Sequence, residues 1–111
     1  MASLPHTADL SVEEALGTAT VAQILGVHPR TIERRRSVRK APRPLEIQRE
    51  EKLHRIWREL NTLFTTENAL YWLRHPVPAL ENRRPLDIMA EDGGLDRVLE
   101  AVGRMSWGIP G

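Results

Sequence analysis

The chain has 111 residues, 41% of them apolar and 28% charged, with a net charge of +1 and no cysteine. That suffices for one compact domain, or for one small domain with an accessory element, and it excludes a disulfide framework, a thiolate nucleophile and any cysteine-ligated zinc or iron–sulfur site. No stretch approaches the roughly 18 apolar residues of a membrane span, and the first ten residues have neither the basic cluster nor the apolar run of a secretory signal. The expectation is a small, soluble, cytoplasmic binding protein that is not an enzyme.

Helix signals recur along the chain and strand signals do not, so the predicted fold class is all-α. Ser11-Val12-Glu13-Glu14 has capping-box spacing and predicts a short helix over 11–16, ended by Gly17. Thr20-Val21-Ala22-Gln23 has the same spacing and predicts a helix to about residue 25, broken by Gly26. Pro29 suits the first position of a third helix, over 29–37. Residues 39–44, with Pro42 and Pro44, read as a linker.

A long helix follows over 45–64. Leu53, Ile56, Trp57, Leu60, Leu63 and Phe64 form one apolar stripe, read as core, with a dimer or partner face as the alternative. Thr65 or Thr66 caps a helix over 67–74, which Pro76 and Pro78 stop. Pro85 opens a short helix through Met89, Gly93-Gly94 forms a turn, and Leu95, Val98, Leu99, Val102 and Met105 mark a last amphipathic helix. Gly108, Pro110 and Gly111 make the tail non-helical. The implied division is a helix–turn–helix unit (10–44), a connecting or dimerisation helix (45–64) and a C-terminal helical unit with its tail (65–111).

The near-neutral net charge hides an asymmetry. Arg30, Arg34, Arg35, Arg36, Arg39, Lys40 and Arg43 stand against Glu33 alone between His28 and Arg43. Such a block reads as a face for a polyanion or as a solvated loop. Its place favours the first reading, because residues 18–37 have helix–turn–helix spacing. Ala22 is small where the helices cross, Gly26 turns the chain, and Val27 plugs the gap. Ile32 points inward, and Val21 and Leu25 complete the core. With Ile32 buried, Arg30, Arg34 and Ser37 face outward beside Thr31. Arg30, Thr31 and Arg34 are placed to reach base edges, and Arg35, Arg36, Arg39 and Lys40 to reach phosphates. Arg35 is discordant, since such units commonly carry an apolar residue there; either its stem packs while its head reaches water, or the unit has drifted away from DNA binding.

No catalytic set assembles. His6, His28, His54 and His75 are scattered, and no nucleophile elbow, phosphate loop or zinc-protease motif is present. Glu50 and His54, at i and i+4, read as a solvated ion pair rather than metal ligands. No cofactor is expected.

From Ala69 onward the sequence resembles the toxin-binding domain of Xre/MbcA/ParS-type antitoxins. The matching residues, in order, are Ala69, Trp72-Leu73, Pro76, Ala79-Leu80, Arg84-Pro85-Leu86-Asp87-Ile88, Gly94, Val98-Leu99, Arg104-Met105 and Gly108. Val77 departs from the asparagine the family often has. The resemblance implies a bacterial antitoxin, a homodimer within a hetero-oligomer, paired with a RES-domain toxin that consumes NAD. It implies that the C-terminal end occludes the toxin's cleft and that the N-terminal unit binds the operon's own promoter. The residues suited to the toxin are Trp107, Gly108, Ile109, Pro110 and Gly111 in the tail, with Arg104, Arg83 and Arg84 as bidentate donors. The rival reading is a stand-alone helix–turn–helix transcription regulator whose C-terminal unit only dimerises.

Overall fold

A computed structural model describes residues 10–37 and 44–108, with the side chains of 35–37 excepted. Among these residues there is no strand. The α-helices are α1 (Val12–Leu16), α2 (Thr18–Leu25), α3 (Pro29–Ser37), α4 (Pro44–Leu63), α5 (Thr66–Arg74), α6 (Pro85–Met89) and α7 (Gly94–Ser106), with one 3-10 turn at Pro78–Leu80.

The capping box forms as the sequence predicts. The Ser11 hydroxyl accepts from the Glu14 amide, and the Glu14 carboxylate accepts from the Ser11 amide. The second predicted box does not form. α2 starts two residues early, at Thr18, because Gly17 takes a positive φ of 89° that turns the chain directly from α1 into α2. Thr20 therefore lies inside the helix. Pro44, expected in the linker, is the first residue of α4, where its missing amide hydrogen costs nothing. Thr65 is the cap of α5, accepting from the Asn68 amide. Thr66 is buried and donates instead to Asn61 Oδ1 at 2.7 Å, while Asn61 Nδ2 donates to the Trp57 carbonyl at 2.8 Å. These bonds fasten the α4–α5 corner.

α4 organises the molecule. Its stripe of Leu53, Ile56, Trp57 and Leu60 is buried. Leu63, expected within that stripe, is instead 37% exposed at the end of the helix, and Phe64 is half-buried. The stripe packs most extensively against α7, which buries Leu95, Val98, Ala101 and Val102, and also against α1, α2 and α5. One continuous core thus runs from Val12 to Val102. Polar contacts tie both flanks of α4 to its neighbours. His54 Nε2 pairs with Glu13 Oε2 at 2.9 Å on α1, Lys52 with Asp96 at 2.9 Å on α7, and Arg49 with Asp92 at 3.3 Å just before α7. His54 therefore pairs with Glu13 across the fold rather than with Glu50 along its own helix.

Between α5 and α6 the chain reverses over a short turn. Val77 and Arg83 form a single antiparallel bridge, and Glu81 and Asn82 both adopt positive φ, 59° and 58°. Pro85 opens α6 as its first residue. Gly93 is left-handed, and Gly94 then passes so close to the Ile88 carbonyl that α7 can start against α6.

Candidate functional site: a helix–turn–helix face and the end of α7

The turn between α2 and α3 has the hydrogen bonds of a Schellman motif. The Val27 amide donates to the Ala22 carbonyl at 2.9 Å and the Gly26 amide to Gln23 at 3.3 Å, with Gly26 at φ +75°. Val21, Ala22, Leu25 and Ile32 are buried and Val27 is half-buried, as a helix–turn–helix core requires. The start of α3 is capped by the turn residue before Pro29: His28 Nδ1 accepts from the Arg30 amide at 3.1 Å.

Arg30 and Arg34 are exposed on α3, one turn apart, and Thr31 beside them is half-buried. Neither guanidinium has a partner among the described residues. The side chains of Arg35 and Arg36, and all of Arg39 and Lys40, lie outside the described residues. The three described members of the expected DNA-facing set are therefore brought together.

The second surface lies at the far end of the fold. α7 ends at Ser106, the Trp107 amide donates to the Gly103 carbonyl, and Gly108 takes a positive φ of 75°. Trp107 is 84% exposed. An indole held out in water at a helix terminus leaves a large apolar surface unburied. Ile109, Pro110 and Gly111 lie outside the described residues. One turn back on α7, Arg104 pairs with Glu100 at 2.9 Å. It lines an open groove of about 190 Å³ with Ala79, Leu80, Arg97, Glu100 and Ala101.

Arg83 and Arg84 are each engaged. Arg84 grips Asp87 in a two-point contact, 2.8 Å for each bond, and Arg83 pairs with Glu91 across the turn before α6. The hydrogen bond from Arg84 holds the Asp87 carboxyl below its ordinary pKa, and that from Arg83 does the same for Glu91. Both guanidinium pKa values rise in return. The guanidinium planes are thus oriented by pairs within the fold.

Arg97 completes the set. It pairs with Glu81 at 2.7 Å, so the first left-handed residue of the turn is tied to α7. The sequence reading did not single out Arg97, because its partner lies 16 residues away in another element and no local spacing announces it.

The C-terminal part of the chain matches a known protein domain. Residues 59–108 match the model of the antitoxin Xre/MbcA/ParS C-terminal toxin-binding domain. The C-terminal part of the chain thus carries the pattern of that toxin-binding domain. A chain of the M. tuberculosis MbcT–MbcA toxin–antitoxin complex is similar at 29% sequence identity and a TM-score of 0.69, over 87% of this chain and 88% of that one. No curated protein sequence matches. The Xre/MbcA/ParS match begins at Glu59, inside α4, and takes in α5, α6, α7, the Arg83–Arg84 turn and Trp107.

No cluster of three or more metal-ligating side chains occurs among the described residues, and none of their helices is long and apolar enough to cross a membrane.

Proposed function

We propose that this chain is an antitoxin that binds a RES-domain, NAD-consuming toxin and occludes its active-site cleft with the C-terminal end. In this reading it acts as a homodimer within the toxin complex and represses its own promoter through the helix–turn–helix. The observation that carries the proposal is Trp107. The family's toxin-binding domain extends to residue 108, and at its end stands an indole 84% exposed, with no use inside the fold. Likeness to a chain of a toxin–antitoxin complex over most of both lengths supports a toxin as the occupant of that surface.

The chemistry fits a cleft that accepts a planar heteroaromatic. Trp107 offers a flat apolar face of the kind such a pocket buries, and Gly108 lets the chain turn as it enters. Arg104 stands one turn earlier, its carboxylate partner solvated enough to be exchanged for one on the toxin. Exposed Arg30 and Arg34 on α3 support the promoter-binding half.

The test is NAD consumption by the toxin from the neighbouring reading frame, with full-length antitoxin, a chain lacking residues 107–111, and Trp107→Ala. The truncated chain should fold and bind but inhibit poorly. Trp107→Ala should weaken neutralisation by about 2 kcal/mol or more, as at an interface hot spot. Equal inhibition by all three would overturn occlusion by the tail.

A further inference from the structure

The outer face of α5 is unused by the fold. Its inner face buries Thr66, Ala69 and Leu73. On the other side stand Tyr71, 63% exposed, and the exposed charges Glu67 and Arg74. Tyr71 stacks on His75, with ring centroids 3.7 Å apart and planes at 16°, and His75 Nδ1 bonds the Tyr71 carbonyl at 2.7 Å. The tyrosine ring is therefore held in place before anything binds it, which lowers the entropy lost on association. Beside it opens a groove of about 250 Å³, walled by Phe64, Trp72, His75 and Pro76 and lined by no Lys, Arg, Asp or Glu.

Glu67 and Arg74 have no ion-pair partner among the described residues. On the neighbouring elements of the C-terminal unit, by contrast, Arg83, Arg84, Arg97 and Arg104 are all paired. The two lie seven residues apart on one flank of the helix, roughly 10 Å along its axis, with Tyr71 near the midpoint. This arrangement is complementary to itself. A second α5 laid antiparallel across a two-fold axis sets Glu67 of each copy beside Arg74 of the other, and brings the two Tyr71–His75 stacks together at the centre. Antiparallel packing also opposes the helix dipoles favourably.

We infer that α5 is the homodimer interface, formed by two antiparallel copies with Tyr71 at the centre and reciprocal Glu67–Arg74 pairs at its ends. The inference rests on the homodimer in the proposed function and gives it a surface. The stripe of α4, the sequence's own candidate, is spent on the core, as Leu53, Ile56, Trp57 and Leu60 are buried within one chain. A two-fold contact is isologous, so a face must complement itself, and opposite charges placed symmetrically about an aromatic centre do so.

The test uses the full chain and reads mass by light scattering and sedimentation across micromolar concentrations, alone and with the toxin. The wild type should be dimeric. Glu67→Arg makes two Arg–Arg contacts and Arg74→Glu makes two Glu–Glu contacts, so each variant should self-associate roughly tenfold or more weakly. Mixed together, the two variants should recover wild-type-like association as a heterodimer, because every contact is then again between opposite charges. Tyr71→Ala should be monomeric with unchanged circular dichroism, its ring being exposed. A monomeric wild type, or a mixture that fails to associate, overturns the inference. So does a Tyr71→Ala variant that keeps its dimer and loses only toxin binding, for the face would then belong to the toxin. NAD assays separate the two readings: a monomeric variant that still inhibits leaves the antitoxin standing, and a dimer that never inhibits removes the antitoxin while this interface survives.

Discussion

The indole Nε1–H of Trp57, in the middle of α4, donates to the backbone carbonyl of Leu10 at 2.9 Å, across 47 residues of sequence. Three residues away on each segment, His54 meets Glu13. Together these contacts clamp the entrance of α1 to the central helix. Trp57 is otherwise core, surrounded by apolar neighbours. Trp57→Phe should cost about 1 kcal/mol for the lost hydrogen bond plus a smaller packing term, and Trp57→Ala about 3–5 kcal/mol. Urea denaturation followed by far-ultraviolet dichroism measures both. Equal costs would show that the indole nitrogen, rather than the ring's volume, dominates.

Two glycines of α7 should respond in opposite directions. A Cβ on Gly94 would stand 1.6 Å from the Ile88 carbonyl oxygen, a backbone atom with no freedom to yield. Gly94→Ala should therefore force α6 and α7 apart, destabilising by about 1–3 kcal/mol or more. A Cβ on Gly103 meets nothing within 4 Å. Gly103→Ala should stabilise by about 0.5–1 kcal/mol, since alanine loses less freedom in a helix interior. Thermal melts of the pair check the contrast.

Acid should loosen the turn around α6. Asp87 and Glu91 have folded pKa values below their ordinary 3.8 and 4.5, chiefly through the hydrogen bonds from Arg84 and Arg83. A carboxylate whose folded pKa is depressed binds fewer protons in the folded state. Its contribution is present above the ordinary carboxylate value and is lost as the pH falls through the folded value. Arg83→Ala and Arg84→Ala should thus be less stable than wild type at neutral pH, with the difference shrinking on acidification. Both pairs are solvated, so the effect is modest. A gap that is constant with pH would show that the arginines act through packing alone.

On DNA, Arg30→Ala and Arg34→Ala should each weaken binding to the chain's own promoter by about 1–3 kcal/mol and relax its sequence preference. Arg39→Ala or Lys40→Ala should weaken all sequences alike and lower the salt slope by about one. Mobility shifts at two salt concentrations distinguish these outcomes. A protein that ignores its promoter at low salt, alone and with its toxin, removes the regulatory half of the proposal.

Local physics made much of this molecule legible in one dimension. Ser11 and Glu14 lie within one helical turn of each other, so their capping box can be read without knowing the fold. The same holds for Gly26 ending α2, Pro85 opening α6, and the three-and-four spacing that buries Leu53, Ile56, Trp57 and Leu60. An ordered run of such features, from Ala69 to Gly108, was enough to suggest the family. Where sequence reading failed locally, at Thr20 and Pro44, two valid start signals competed. Gly17's turn and the tolerance of helix starts for proline decided between them.

Contacts between distant residues could only be settled by the fold. Nothing near Trp57 names Leu10 as its acceptor, nothing near Arg97 names Glu81, and His54 chose Glu13 over the nearer Glu50. The stripe of α4 could equally have faced a second chain. Packing against α7 turned it inward and left the outer side of α5 and the indole of Trp107 in solvent. Periodicity states that a helix has an apolar face. Which neighbour covers that face depends on how all the helices pack at once, and that sum over long-range contacts is written only in three dimensions.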